Sequence, residues 1–293
     1  MAPRSLGITR AVERWALPVF TALAIGYLLV PIAVMVVFSF NEPSTRFNYR
    51  WEQFSLEAWG QPISWPGLPE SIAVSLRIAF LSTLAATTLG TLIGLALTRY
   101  QFRARGAINS LIFLPMATPE IVLGASLLTL FIGTATVTPF REIVPRGLFF
   151  PLGPLTILIA HIMFNVSYVV VTVRARLAGF DRQLEEASMD LGANEWTTFW
   201  RVTFPLIFPG VLAAAVLAFS LSIDDFVITY FVSGTTNTFP IWVFAVQRNA
   251  FPPQINVVGS IIFFVSVGLV ALTTLWQLRQ AARPIAAVEE EDS

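Results

Sequence analysis

The chain contains no cysteine and no lysine, and only 12% of its 293 residues are charged. Without cysteine there is no disulfide, no thiolate nucleophile and no Cys-ligated metal. Without lysine there is no standard phosphate-binding loop of the G-x-x-x-x-G-K-[ST] type, because that lysine is the group that reaches the β- and γ-phosphates. Any nucleotide-driven work would therefore draw on a different chain. Soluble globular domains carry about 25% charged residues; the low charge here, with a mean hydropathy of +0.71, excludes an ordinary soluble enzyme. Eighteen Arg balance eighteen Asp plus Glu, so no basic excess points to nucleic acid. The single histidine leaves no His cluster for a metal site, and hydrogen-bonded packing is its simplest role.

What the sequence has in abundance is long apolar runs. About 20 apolar residues cross a hydrocarbon core as a helix, and six stretches qualify: 16–40, 71–98, 107–131, 154–173, 206–232 and 257–278. This predicts an all-α polytopic membrane bundle of six transmembrane helices, forming one domain over residues 1–293. The first stretch follows Arg4, Arg10 and Arg14 but is too long for a signal-peptide core and lacks a small-x-small cleavage site, so it reads as a retained anchor. Arginine bias sets the orientation. With the N-terminus inside, twelve arginines fall on inner segments and five on outer ones, with Arg77 inside a span. Both termini are then cytoplasmic. Trp51, Trp59, Trp65 and Trp242 fall in outer loops, where headgroup anchoring is the plain expectation. The acidic tail Glu289–Asp292 reads as solvated charge.

Ionisable residues at membrane depth are costly and face protein or water. Here they are Arg77, Glu120, His161, Asp224 and Asp225. At a rise of 1.5 Å per residue, Glu120 lies about 2 Å from the midplane, Asp224 about 7 Å and Arg77 about 11 Å towards the outer side. Pro115 and Pro119 remove two backbone donors just before Glu120, predicting a kinked or broken helix there, which needs protein or an aqueous cavity around it. Pro205 and Pro209 repeat that spacing at the inner mouth of the fifth span, where a helix start accounts for them. Adjacent helix positions point about 100° apart, so Arg77 cannot readily pair with both Asp224 and Asp225. One acid is left for water or a cation. Phe226 and Tyr230 follow at helical spacing and suit core contact or a passing ammonium through cation–π attraction.

The longest inner segment, 174–205, reads RARLAGFDRQLEEASMDLGANEWTTFWRVTFP. Leu184, Ala187 and Leu191 fall on one helical stripe and Trp196, Phe199 and Trp200 on another, with Gly192 between them at a turn position. Such a helix pair has an apolar face that needs a partner or headgroups. Glu186-Ala187-Ser188, three residues, Gly192, nine residues, then Val202-x-Phe204-Pro205 resembles the E-A-A-x3-G-x9-I-x-L-P loop of ABC importer permeases of the binding-protein-dependent, MetI-like family. Ser188, Val202 and Phe204 depart conservatively from that pattern. The stretches from Val173 to Asp181 and from Phe219 to Val227 resemble the polyamine (spermidine/putrescine) permeases.

The resemblance implies a type I ABC importer permease fold and a non-catalytic chain of the bacterial inner membrane. It implies that Glu186, Ala187, Ser188, Gly192 and Pro205 couple to an ABC ATPase dimer that binds ATP and magnesium, with no cofactor in this chain. It further implies a second, non-identical permease subunit and an extracytoplasmic binding protein. Glu120, Asp224, Asp225, Phe226 and Tyr230 are the candidate substrate path, since acids spaced along an apolar, aromatic wall match a linear polyamine. An importer for another solute remains the alternative. A gradient-driven transporter would leave the 174–205 helix pair without a role, and no nucleophile or carboxylate-plus-His constellation supports an enzyme.

Overall fold

The computed structural model describes residues 5–136 and 149–289, which divide into two compact units, Gly67–Ala245 and the flanking stretches Met1–Pro66 with Val246–Ser293. Arg4, Arg141, Arg146 and the tail beyond Glu289 lie outside the described residues. The described residues are helical throughout, apart from loops and two isolated β-bridges. Among the described residues, five helical runs are long and apolar enough to cross a membrane, or six if one bent pair counts as a span.

In the flanking unit, α1 (Ser5–Phe38) packs against α12 (Pro253–Glu289), and the short α2 (Glu57–Gly60) sits in the loop that follows α1. That loop is tied by buried asparagines. Asn41 Nδ2 donates to Asn48 Oδ1 at 2.6 Å and to the Arg50 carbonyl at 2.7 Å, and Asn48 Nδ2 donates to the Phe38 carbonyl at 2.8 Å. Trp59 stacks on Phe40 with centroids 5.2 Å apart and donates to Ser39 Oγ at 3.1 Å. It is thus a loop-packing residue rather than a free headgroup anchor, because its indole N–H finds a protein partner.

In the central unit, α3 (Leu68–Arg99) opens with proline in its first turn and closes with Arg99 in its last, both favourable for a helix end. It packs along α6 (Pro154–Ala178) and α9 (Phe204–Ile223). The shared core combines Ala86, Ala214 and Ala218 with Val169, Val173 and Ile207; small residues let membrane helices approach closely enough for dispersion contact. A second cluster joins Ile78, Leu127, Phe131, Ile157, Phe164 and Ile228. Trp242, expected among the headgroup anchors, is buried in this unit at 5% exposure.

The break expected in the third span is present, while the fourth and fifth spans differ from the sequence expectation. The third span is two helices, α4 (Arg105–Ala117) and α5 (Glu120–Thr136), bent by 110° at Thr118-Pro119, as missing donors at Pro115 and Pro119 require. The fourth, α6, continues to Ala178 because Arg174 and Arg176 in its last turns find acceptors, Asn109 Oδ1 at 2.8 Å and the Leu206 carbonyl at 3.2 Å. The fifth ends at Ile223, and after a break at Asp224–Phe226 a short α10 (Val227–Val232) follows, then α11 (Phe239–Val246). Pro205 stands in the first turn of α9, but the helical run behind it is unbroken from Glu195. A π-turn over Phe199–Thr203 precedes the proline, and Pro209 lies inside the helix, so a helix start does not account for that pair. The wider π-turn is how the run accommodates a ring and a missing N–H.

Candidate functional site

Between α6 and α9 stand two short helices, α7 (Gln183–Asp190) and α8 (Glu195–Thr198). The turn joining them closes α7 with paired bonds: Gly192 N–H to the Met189 carbonyl at 2.9 Å and Ala193 N–H to the Ser188 carbonyl at 3.1 Å. That pattern needs a left-handed residue at the first position past the cap, and Gly192 has φ +89°. A Cβ there would meet nothing within 4 Å, so the glycine serves backbone conformation and not close packing. Asn194 then caps α8, its side chain accepting from the Thr197 N–H at 2.8 Å. Ser188 Oγ and Thr198 Oγ1, 3.1 Å apart, clip the two helices together. Ser188 stands where the resembled loop has alanine, and the hydroxyl adds this clip.

Glu186, Ala187 and Gly192 are exposed. So are Leu184, Met189, Leu191, Trp196 and Trp200, with Leu191 at 90%. One unpaired turn would not hold such a surface in place, and a tether not anticipated from sequence does. Glu185 accepts from Arg99 at the end of α3 and from the Thr203 hydroxyl in the π-turn. Arg182 also donates to the Thr98 carbonyl at 3.2 Å. The exposed helix pair is therefore fastened to the end of α3 and to the foot of α9.

The acids form the second feature. Glu120 opens α5 directly after the 110° bend, and Asp224 caps the C-terminal end of α9. Both are exposed, and Glu120 lies within electrostatic reach of Asp224. The elements that carry them pack together, α5 on α10: a Cβ on Gly124 would stand 2.7 Å from Phe231 Cδ2, so only a glycine allows this approach. Beside them Phe226, Tyr230 and Phe244 form a ring cluster with centroid separations of 4.9–6.0 Å.

Asp225 is turned the other way. It lies off the regular helix, and its Oδ2 accepts from the Thr229 N–H at 2.8 Å, from Thr229 Oγ1 at 2.6 Å, and faces His161 Nε2 at 3.3 Å. The considered pairing with Arg77 is not formed: Arg77 is exposed, and Asp225 pairs instead with His161. The angular argument for neighbouring helix positions fails with it, since the pair sits at a break. His161 is the hydrogen-bonded packing residue expected of it, with Nδ1 at 2.6 Å from Ser222 Oγ and Nε2 at 2.8 Å from Thr229 Oγ1. No group of three or more His, Cys, Asp or Glu residues suited to a metal occurs among the described residues.

The helix pair, the bent third span and the broken fifth span belong to one all-helical fold of apolar spans. The backbone is similar to that in the crystal structure of a bacterial ABC transporter that imports the acidic polysaccharide alginate. The TM-score is 0.69 at 14% identity, covering 93% of this chain and 98% of that one. It is also similar to the MetNI methionine ABC transporter, with TM-score 0.52 at 16% identity, 72% and 93% covered. The fold is that of a type I ABC importer permease.

Residues 86–284 match the family described as binding-protein-dependent transport system inner membrane component, and the chain belongs to that family. It is 34% identical over 257 residues to the spermidine/putrescine transport system permease protein PotC of Haemophilus influenzae, covering 87% of this chain and 94% of that protein. It is 33% identical over 267 residues to the putrescine transport system permease protein PotI of Escherichia coli, covering 90% and 91%. These relatives are permeases of transport systems, and this chain is an inner-membrane transport component of the same kind.

Proposed function

We propose that this chain is one permease subunit of an ATP-driven polyamine importer, with spermidine or putrescine as its substrate. It pairs with a second, non-identical permease and receives substrate from an extracytoplasmic binding protein. Of two copies of an ABC ATPase, which bind ATP and magnesium, one docks on the α7–α8 helix pair of this chain through Glu186, Ala187, Ser188, Gly192, Pro205 and the exposed apolar residues around them. The termini and this helix pair face the cytoplasm, as the arginine distribution favours. This chain carries no chemistry of its own.

The observation that carries the substrate reading is two exposed acids at helix ends, Glu120 opening α5 and Asp224 closing α9, within electrostatic reach of one another, with the Phe226–Tyr230 ring pair following Asp224. Two carboxylates near one another attract an ammonium that neutralises both, and the aromatic faces accommodate the same charge or the methylene stem. The 34% identity to a spermidine/putrescine permease supports the same substrate class. An anionic substrate would meet two acids here and is disfavoured on charge alone.

The test is ATP hydrolysis by the purified complex of this chain with its second permease and ATPase. Hydrolysis is expected to rise when a spermidine-loaded binding protein is added and not when it is loaded with an unrelated solute. A complex that hydrolyses ATP identically with every binding protein, or that contains no ATPase, contradicts the proposal.

A further inference from the structure

Asp224 and Asp225 are neighbours in sequence, yet the structure gives them opposite surroundings. Asp224 is exposed, whereas the Asp225 side chain is 7% exposed and His161 beside it is 3% exposed. Around that pair runs a buried chain of side chains from four helices and the break itself. Ser82 of α3 lies 2.9 Å from Ser222 of α9, Ser222 lies 2.6 Å from His161 of α6, and His161 meets Thr229 of α10 and Asp225.

The hydrogen-bond bookkeeping of this chain closes. Thr229 Oγ1 donates to Asp225, so it is free to accept from His161 Nε2–H. With imidazole neutral, Ser222 donates to Nδ1; with imidazolium, Nδ1–H donates to Ser222, whose own O–H then donates a hydrogen bond to Ser82 Oγ, and Ser82 donates to the Ala79 carbonyl at 3.2 Å. Every buried polar group named has a partner in both states, and a fully satisfied network of this kind fixes one local geometry. What it fixes is the turn at 224–226, because Asp225 also occupies the N–H of Thr229 in the first turn of α10.

We infer that His161 and Asp225 are a positioning pair: they hold the break between α9 and α10 so that Asp224 is presented to the cation path, and Asp225 does not itself touch substrate. This rests on the reading of Glu120 and Asp224 as path acids, and it divides two adjacent carboxylates into one that is anchored and one that is presented. The lone histidine of the chain acquires a role that neither a metal site nor simple packing supplies.

The test is a set of spermidine uptake measurements on the complete complex in proteoliposomes, with assembly checked by co-purification. Asp224→Asn is expected to raise KM for spermidine by about tenfold, the scale of one charge-assisted contact. His161→Ala and Asp225→Asn are expected to raise KM similarly in the native background and to add nothing in the Asp224→Asn background, since the acid they position is already gone. His161→Gln, which keeps a donor and an acceptor, restores most of the native KM. Should His161→Ala fail to assemble, Thr229→Val breaks the same link with little change of volume and is expected to behave as it would. If Asp225→Asn multiplies the effect of Asp224→Asn, Asp225 contacts substrate and the inference is overturned while the path reading stands. If Asp224→Asn leaves KM native, the path reading falls and the inference with it.

Discussion

The carboxylate of Glu185 accepts from the guanidinium of Arg99, joining the first turn of α7 to the last turn of α3 across 86 residues of sequence. Glu185 is the more buried partner, at 14% side-chain exposure against 29% for Arg99. A displacement of the exposed helix pair is thus handed to a helix that lines the unit's core. The pair ties the exposed α7–α8 surface, proposed to dock the ATPase, to the membrane part of this unit.

Cutting that link should uncouple without dissociating. Glu185→Gln or Arg99→Met is expected to cost about 1–3 kcal/mol locally, the scale of losing one charge-assisted hydrogen bond at a partly buried site. The ATPase should still co-purify, because the exposed face is untouched, while substrate-stimulated ATP hydrolysis falls. Native stimulation in both variants would remove the link from the account.

Gly192 makes a second, sharper prediction. Its φ of +89° is forbidding to a β-branched residue, while the space around it is open. Gly192→Val is therefore expected to cost about 1–2 kcal/mol in backbone strain and to lose ATPase docking, whereas Gly192→Asn, which tolerates left-handed geometry, should retain most of it. ATPase pull-down against the two variants checks this; equal docking in both would show that the turn is not what matters.

Gly124 tests how the elements that carry the acids pack together. A side chain there collides with Phe231 at 2.7 Å, so Gly124→Val should push α5 from α10, cost about 1–3 kcal/mol by overpacking, and weaken spermidine uptake by moving Glu120. Adding Phe231→Ala makes room and is expected to restore part of the uptake. A Gly124→Val variant with native uptake would dissociate the packing from the path.

Topology is open to direct labelling, helped by the absence of native cysteine. Single cysteines introduced at residue 104 and near the C-terminus are expected to react only from the cytoplasmic side, and those at 60 and 237 only from outside. Labelling of 104 from outside would reverse the orientation and leave the α7–α8 pair facing away from any ATPase.

Much of this was legible in sequence because its causes are local. The apolar runs, the arginine asymmetry, the prolines ahead of Glu120 and the glycine between α7 and α8 each act within one or two helical turns. The break at Asp224–Phe226 was not, because the segment Ser222-Ile223-Asp224-Asp225-Phe226 contains neither proline nor glycine. It is stabilised by His161, 61 residues from Ser222 in sequence, and no periodicity shows such a bond. The Arg99–Glu185 tether escaped for the same reason, although an acid at the start of one short helix and an arginine at the end of a span were both visible. The possibility that Arg77 pairs with one aspartate rested on charges counted within spans, which do not show which helix face carries them. The π-turn before Pro205 was hidden because its hydrogen bonds, not its residues, define it.

The most direct measurement of the central claim is uptake of radiolabelled spermidine into proteoliposomes containing the complete complex, with binding protein outside and ATP inside. Accumulation is predicted to require both, and to fall at least about tenfold in a Glu120→Gln, Asp224→Asn double variant that still assembles, since two charge-assisted contacts are lost. Accumulation without ATP, or native accumulation by the double variant, would contradict the account.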